Sequence, residues 1–343
     1  MALPLLAAPM FDRLCAGARN VGHGFAVSLV LAVAAQFLSE HHGAPAMLMA
    51  LLLGMAFNFL AEEGRCVAGI NFTARTVLRI GVALLGVRIS AELLVGLGPG
   101  LIALVLLAVV CTILFGLVGA RLLGRGWRLA LLTGGSVAIC GASAAMAIAA
   151  VLPRNEHSER NLLFTVLSVT VLSTIAMIIY PVVTRTLELS ELTTGVFLGG
   201  TIHDVAQVVG AGFSVSDETG ESATLVKLIR VAMLAPVVLV FSLVIRAGGV
   251  ESPNESRRPP LVPGFILVFL ALATVNSFGV VPELASSALS DLSRWALLVA
   301  IAAVGMKSSL GRILDVGGQA IALIIAETVF IAAFILIGIR YLA

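Results

Sequence analysis

Eleven apolar runs, most of them long enough to cross a bilayer as helices, leave this chain little choice of fold. They fall at roughly 24–39, 45–61, 76–95, 99–121, 127–152, 161–184, 191–213, 222–246, 262–280, 290–306 and 316–341. Connections as short as 96–98 and 124–126 leave no room for soluble domains between them. Hydrophobic residues make up 59% of the chain and its mean hydropathy is +1.10, more apolar surface than a soluble core can hide. The expected fold is therefore an all-α polytopic membrane protein. It forms a single domain, 1–343, with approximate halves 1–160 and 161–343 and a flexible cytoplasmic loop at 247–261. The abundance of Gly and Ala suits closely packed membrane helices. The N-terminus shows no basic leader or cleavage site, so a signal peptide is not expected.

Lysine and arginine placement gives the orientation. With the N-terminus in the cytoplasm, inner connections hold Arg13, Arg19, Arg65, Arg75, Arg121, Arg125, Arg128, Arg185, Arg246, Arg257, Arg258, Lys307 and Arg312. The outer side holds Arg154, Arg160, Arg294 and Arg340. This positive-inside bias fits an odd number of spans in a bacterial inner membrane, with the C-terminus in the periplasm. Trp127, Tyr180, Trp295 and Tyr341 sit at span ends, where amphipathic rings favour the interface.

Two echoes suggest internal repeats. The segment from Leu84 aligns with that from Ala303 at an offset of 219, matching Gly86 to Gly305, Arg88 to Lys307, Ser90 to Ser309 and Gly98 to Gly317. Seven spans separate the copies, so they would run in opposite directions as an inverted repeat. A second echo relates GGSV at Gly134 to GGTI at Gly199. Those spans are two apart, which makes them parallel by counting and sets the two echoes at odds.

The seventh run carries the polar residues most foreign to hydrocarbon. GVFLGGTIHDVAQVVGAG, from Gly195 to Gly212, holds His203, Asp204 and Gln207 among glycines. Ionisable side chains at membrane depth usually face a water-filled or protein-lined site. Gly199-Gly200 followed by Thr201 reads as an unwound hinge with Thr201 as the next N-cap. Thr201 and Asp204 also fit a capping box, in which the acid merely satisfies a helix start. The fifth run, LLTGGSVAICGASAAMAIAAVLP, places Ser136, Cys140 and Ser143 on one helical face, with Gly134, Gly135 and Gly141 permitting a break. Such a break aims amides and hydroxyls at an anion; the same stripe also suits packing against a neighbouring helix.

Within spans the cations Arg79, Arg88, Lys227 and Arg230 outnumber the acids Asp204 and Glu327, which favours an anionic substrate. Arg79 and Lys227 lie near span ends and read as snorkelling side chains. Arg230 lies deeper, facing substrate or Asp204. Glu327 sits near mid-membrane as a packing residue, an arginine partner or a coupling-ion ligand. Asn58 and Asn276 read first as helix-contact residues. The four cysteines, Cys15, Cys66, Cys111 and Cys140, have no paired spacing, so neither disulfides nor a metal site is expected. Nothing matches a nucleotide-binding glycine loop or a nucleophile elbow. No enzyme, cofactor or nucleic-acid partner is expected.

The pairing of ICGASAA (139–145) with TIHDVAQVVGAG (201–212) resembles the YeiH-type sulfate exporter family of bacterial inner-membrane proteins. RIGVALLGVRIS (79–90), LVKLIRVAMLAP (225–236) and AAVGMKSSL (302–310) extend the likeness over nearly the whole chain. The family often has Glu where Asp204 stands. The resemblance implies secondary transport of sulfate or a related sulfur oxyanion. By fold-level analogy it also implies inverted repeats with two broken helices crossing near the midplane. The expected substrate contacts are Ser136, Cys140, Gly141, Ser143, Gly200, Thr201, Gln207 and Arg230. His203, Asp204 and Glu327 are the expected coupling residues, with H+ or Na+ as the coupling ion and a homodimer as the expected assembly. A passive anion channel and a sodium-coupled organic anion transporter are the alternatives.

Overall fold

A computed structural model describes residues 8–42, 46–89, 91–153, 155–247, 264–307 and 318–342. Its regular elements are all helical among these residues, as hydrocarbon demands of a backbone that must satisfy its own N–H and C=O groups. In chain order they are α1 (Ala8–His42), α2 (Ala46–Ala56), α3 (Val67–Phe72), α4 (Leu78–Leu85), α5 (Ala91–Leu122), α6 (Trp127–Ala138), α7 (Ala142–Ala149) and α8 (Ser158–Thr186). Then come α9 (Glu191–Thr201), α10 (Val205–Phe213), α11 (Asp217–Ala232), α12 (Leu234–Ala247), α13 (Gly264–Ser277), α14 (Glu283–Lys307) and α15 (Gly318–Leu342). All but Ala247 of the loop at 247–261 lies outside the described residues, as do Ser90, Ser309 and Gly317 of the long echo.

Seven stretches of the described residues are long and apolar enough to cross a membrane: Val21–His42, Val67–Arg88, Val95–Leu122, Ser158–Thr186, Asp217–Ala247, Glu283–Lys307 and Ala320–Leu342. The runs at 45–61 and 262–280 form the shorter apolar helices Ala46–Ala56 and Gly264–Ser277. The two remaining runs, 127–152 and 191–213, are not single spans. On α5 the side chains of Leu107, Val110, Leu114 and Val118 form one exposed apolar stripe, the surface a lipid-facing helix presents.

Contacts divide the chain into two compact units. One takes the described residues of Met1–Leu85 and Glu283–Ser309. There α14 packs on α2 and α4, and small residues let the backbones approach. A Cβ on Gly54 would overlap the Ala302 carbonyl oxygen. Asn58 donates to the Met306 carbonyl at 2.7 Å and Ser293 to that of Gly81 at 2.7 Å, which ties these helices by polar contacts. The second unit takes the described residues of Gly86–Pro282 and Leu310–Ala343. In it α5 and α15 run antiparallel, with Phe115 stacked on Phe330, Gly119 against Leu323 and Gly338 against Leu104.

Two re-entrant hairpins organise the second unit. The helix α6 stops at Ala138 and α7 starts at Ala142, and the chain reverses between them rather than continuing across. Gly135 on α6 therefore abuts Ile148 on α7. Arg125 to Leu129 line a common cavity at the hairpin's base with Asn155, His157, Arg160 and Asn161. The reversal needs Gly141, whose φ is +62°, a conformation costly for residues with a Cβ. The second hairpin is α9 and α10, broken at Ile202 to Asp204. Its two ends return to one place: Gly195 and Gly212 lie against Ser222 and Gly220 of α11, and Thr219 donates to the Glu191 carbonyl at 3.2 Å.

The sequence reading placed the second break at Gly199-Gly200, with Thr201 as N-cap. Instead both glycines are helical and pack on α11 and on Ile335 of α15. Thr201 ends α9, its hydroxyl bonded back to the Phe197 carbonyl. These glycines serve close helix approach, and the chain turns three residues later.

With 29 residues, α8 is about 43 Å long, while each hairpin arm is about 18 Å or less. The first hairpin opens beside the start of α8, and the second follows its end after the short connection 187–190. Both tips touch the middle of α8, Gly141 at Val169 and His203 at Ser173. The hairpins thus enter from opposite ends of α8 and meet halfway. In a chain whose own cysteines are replaced by serine, Gly126→Cys and Asn155→Cys should react with a membrane-impermeant maleimide from the same side of the membrane. Glu188→Cys and Glu218→Cys should react from the other side. Labelling of Gly126→Cys and Asn155→Cys from opposite sides would contradict the first hairpin.

Candidate functional site

A helix that ends inside a protein leaves its last carbonyls without partners and with a partial negative charge. At the two hairpin tips these carbonyls are gathered by two cations of α11. Lys227 Nζ donates to Ile139 O at 2.6 Å and to Ile202 O at 3.0 Å. Arg230 Nε donates to Ala138 O at 2.9 Å, and its Nη2 to Val137 O at 2.8 Å. Its Nη1 donates to Gly199 O at 2.9 Å and to Ile202 O at 3.1 Å. Each cation therefore holds both hairpins, and both side chains are fully buried. A charge taken out of water is tolerated only where hydrogen bonds replace hydration, and here six carbonyl contacts do so. Lys227 is no snorkelling residue. Its position a few residues inside a hydropathy boundary concealed that α11 brings it to the tips.

The second arm of each hairpin presents the opposite pole. α10 begins after Asp204, whose carboxylate accepts from the Ala206 N–H at 2.8 Å, so its N-terminus is capped by an acid. α7 begins after Gly141, which offers no side-chain cap. The two starts are close neighbours: a Cβ on Gly141 would lie 3.4 Å from His203 Cβ. Asp204 is half-buried and Ser143, in the first turn of α7, is exposed. The Asp204 carboxylate acts electrostatically on both Lys227 and Cys140. The tips thus carry two buried cations, one half-buried acid and one helix N-terminus whose cap residue is a glycine, with the Cys140 sulfur against the Ala144 N–H in its first turn.

Supporting contacts come from α8 and α15. Ser173 Oγ accepts from the backbone N–H groups of His203, at 3.2 Å, and Asp204, at 3.0 Å. Thr174 Oγ1 accepts from Gln207 Nε2 at 2.8 Å, while Gln207 Oε1 is buried without a partner. On α15, adjacent residues reach different hairpins. Glu327 accepts from Thr133 of α6 at 2.9 Å, and Thr328 contacts His203 Nε2 at 3.1 Å. The second carboxyl oxygen of Glu327 is buried and has no hydrogen-bond partner.

Of the residues singled out from sequence, Cys140, Gly141, His203, Asp204 and Arg230 come together at the tips, and Gln207 lies one turn along α10. Arg230 engages backbone carbonyls. Gly200 and Thr201 belong to the packed end of α9. Ser136 is buried on α6, its hydroxyl bonded to the Leu132 carbonyl. Glu327 stands apart, linked through Thr133. Lys227, Ser173, Thr174 and Thr328 also contact these residues; the sequence alone reads Lys227 as snorkelling and gives no sign of the three hydroxyls. The three hydroxyls belong to types common in membrane helices, and only the tertiary fold distinguishes them.

Because Arg230 satisfies carbonyls of both hairpins, Arg230→Leu should lower stability in detergent by about 3 kcal/mol or more, given roughly 1.5–3 kcal/mol for each hydrogen bond to a charged group. Arg230→Lys should recover part of the loss. Thermal unfolding monitored by fluorescence provides the check, and an unchanged midpoint for Arg230→Leu would contradict the bonding described.

Family comparison places the chain among membrane proteins. Residues 23–341 match the family model described as Conserved hypothetical protein 698. The chain is 71% identical over 321 residues to the UPF0324 membrane protein RB0971 of Rhizobium meliloti, covering 94% of this chain and 93% of that one. It is 67% identical to the UPF0324 membrane protein TauZ of Paracoccus pantotrophus, covering 93% and 95% of the two chains. To the UPF0324 membrane protein CT0845 of Chlorobaculum tepidum it is 54% identical, covering 91% and 87%. The chain with paired hairpins on Lys227 and Arg230 therefore belongs to the UPF0324, or YeiH, family of membrane proteins.

Proposed function

We propose that this protein is a secondary transporter of a small anion, a sulfur oxyanion such as sulfate by preference, bound where the two hairpin tips meet. The observation that carries this reading is the charge at the tips. Lys227 and Arg230 neutralise the carbonyl ends of α6 and α9, and the start of α7 has no side-chain cap beside them. A helix N-terminus favours anions through its N–H groups and its dipole. An oxyanion there would accept from the first-turn amides of α7 and the Ser143 hydroxyl, with the cations behind it.

Alternating access fits the same geometry. Non-helical backbone at membrane depth is tolerated where it is buried in protein or lines a cavity, and transporter sites commonly lie at such half-helix ends. Hairpins entering from opposite sides place α6 and α9 in opposite directions, which makes the Gly134 and Gly199 echo compatible with the inverted echo at offset 219. The same reading would change the topology. With the N-terminus inside, Arg160 would move to the inner face and Arg185 to the outer one, beside Arg294 and Arg340, and the positive-inside bias would hold.

Asp204 is the coupling residue in this scheme. A fixed carboxylate beside an anion repels it, so loading requires Asp204 to be protonated or held by its cationic neighbours. Anion affinity should therefore fall as pH rises. Asp204→Asn preserves a good N-cap and should leave folding intact while flattening that dependence. His203, held by Thr328, would report the change to α15, where Glu327 follows hairpin movement through Thr133.

The direct test is binding by the purified protein of sulfate, sulfite, thiosulfate, organosulfonates and carboxylates at two pH values, with and without sodium. Saturable binding of a sulfur oxyanion that weakens at higher pH in the wild type and not in Asp204→Asn supports the reading. Sodium-dependent carboxylate binding would favour an organic anion symporter. Flux far above carrier rates with no pH dependence would favour a channel.

A further inference from the structure

Away from the tips, the base of the first hairpin gathers a second concentration of positive charge around a partly open hollow. A cavity of about 190 Å³ is lined by Arg125, Arg128, Arg160, His157, Asn155 and Asn161. The side chains come from two directions: the turn into α6 supplies Arg125 and Arg128, and the start of α8 supplies the others. The lining also contains the first residues of α6, a 12-residue helix whose N-cap, Gly126, provides no side-chain cap. Arg128 spans the face of Trp127, its guanidinium carbon 5.3 Å from the ring centroid. Its Nε is buried within the protein with no hydrogen-bond partner. Among the described residues that line the cavity there is no carboxylate. The Glu156 carboxylate contacts His157 at 3.6 Å, and both side chains are largely exposed.

We infer that this cavity is a binding site for a phosphate group, distinct from the proposed transport site. Three guanidinium groups and a helix N-terminus converging without a carboxylate suit a multiply charged tetrahedral anion. Guanidinium forks match phosphate oxygens in geometry as well as charge. Asn155 has its carbonyl turned to the backbone of His157 and to Ser158, which leaves its amide NH2 as the donor end. Two sources share this chemistry: the headgroup of an anionic phospholipid and a free phosphate in the cytoplasm. Basic pockets at the ends of membrane helices recognise such headgroups. An occupant would bridge the starts of α6 and α8 and hold them together, fixing the base while the tip does its work.

The site is tested with the full-length protein in nanodiscs of phosphatidylcholine alone, of phosphatidylcholine with phosphatidylglycerol, and of phosphatidylcholine with added inorganic phosphate. Thermal unfolding and native mass spectrometry of retained lipid are the readouts. A phosphatidylglycerol-dependent rise in the unfolding midpoint with retained lipid assigns the site to a headgroup. A saturable rise with inorganic phosphate alone assigns it to a soluble phosphate. In either case Arg128→Gln/Arg160→Gln should weaken the effect about 30-fold, two basic contacts at roughly the strength of one arginine each. Arg128→Lys/Arg160→Lys should retain part of it, which separates lost charge from lost folding. If neither probe shifts or binds the wild type, or if the double glutamine variant responds as the wild type does, the inference is overturned.

Discussion

Two buried cations bonded to backbone carbonyls set the form of the second structural unit. Lys227 and Arg230 lie one turn apart on α11, and each reaches the ends of both α6 and α9. Without them the hairpin tips would leave carbonyls unsatisfied in a low-dielectric interior, a cost of roughly 1–3 kcal/mol for each buried group. With them, two short helices can stop halfway through the protein and turn back. The cations are tolerated there because the helix ends supply negative poles, and the helix ends are tolerated because the cations are present. Everything else at the site, including the glycine reversal at Gly141, the Ser173 contacts and the Asp204 cap, is arranged around that joint.

The joint also gives the tips their polarity. Carbonyl ends point to α11 and are satisfied, whereas the amide ends of α7 and α10 begin on the other side of each turn. Asp204 occupies one of these and Gly141 leaves the other without a side-chain cap. This asymmetry leaves one amide end for the anion that the proposed function places there. α15 adds a mechanical link, because Glu327 and Thr328 are neighbours in sequence yet contact different hairpins. A shift of one hairpin relative to the other must strain or break one of those contacts.

Much of the fold was legible in the chain, and the errors have physical causes. Hydropathy marks apolar length and not direction, so residues 127–152 and 191–213 read as spans when each is a hairpin. Glycine marks close approach as readily as a break. Gly199 and Gly200 were read as a hinge, yet they let α9 lie against α11 and α15, while the turn falls at Ile202 to Asp204, where the polar residues are. Gly141 is the case in which the two meanings agree. His203, Asp204 and Arg230 stand out in the sequence because ionisable groups are rare at that depth, and the fold brings all three to the tips. Lys227 was set aside because distance along a run is a poor measure of depth once the helix is placed. Ser173, Thr174 and Thr328 carry no local signal, and their roles follow only from which helices face the tips.

An anion seated at the start of α7 is the central claim, and selenate, a heavier oxyanion of sulfate's shape and charge, can locate it. Crystals grown or soaked with selenate should show an anomalous selenium peak within hydrogen-bonding reach of the amides at 142–144 and the Ser143 hydroxyl, with Lys227 and Arg230 still on their carbonyls. A selenium peak elsewhere in the protein with the tips unoccupied at saturating selenate, or no bound selenate at all, would contradict it.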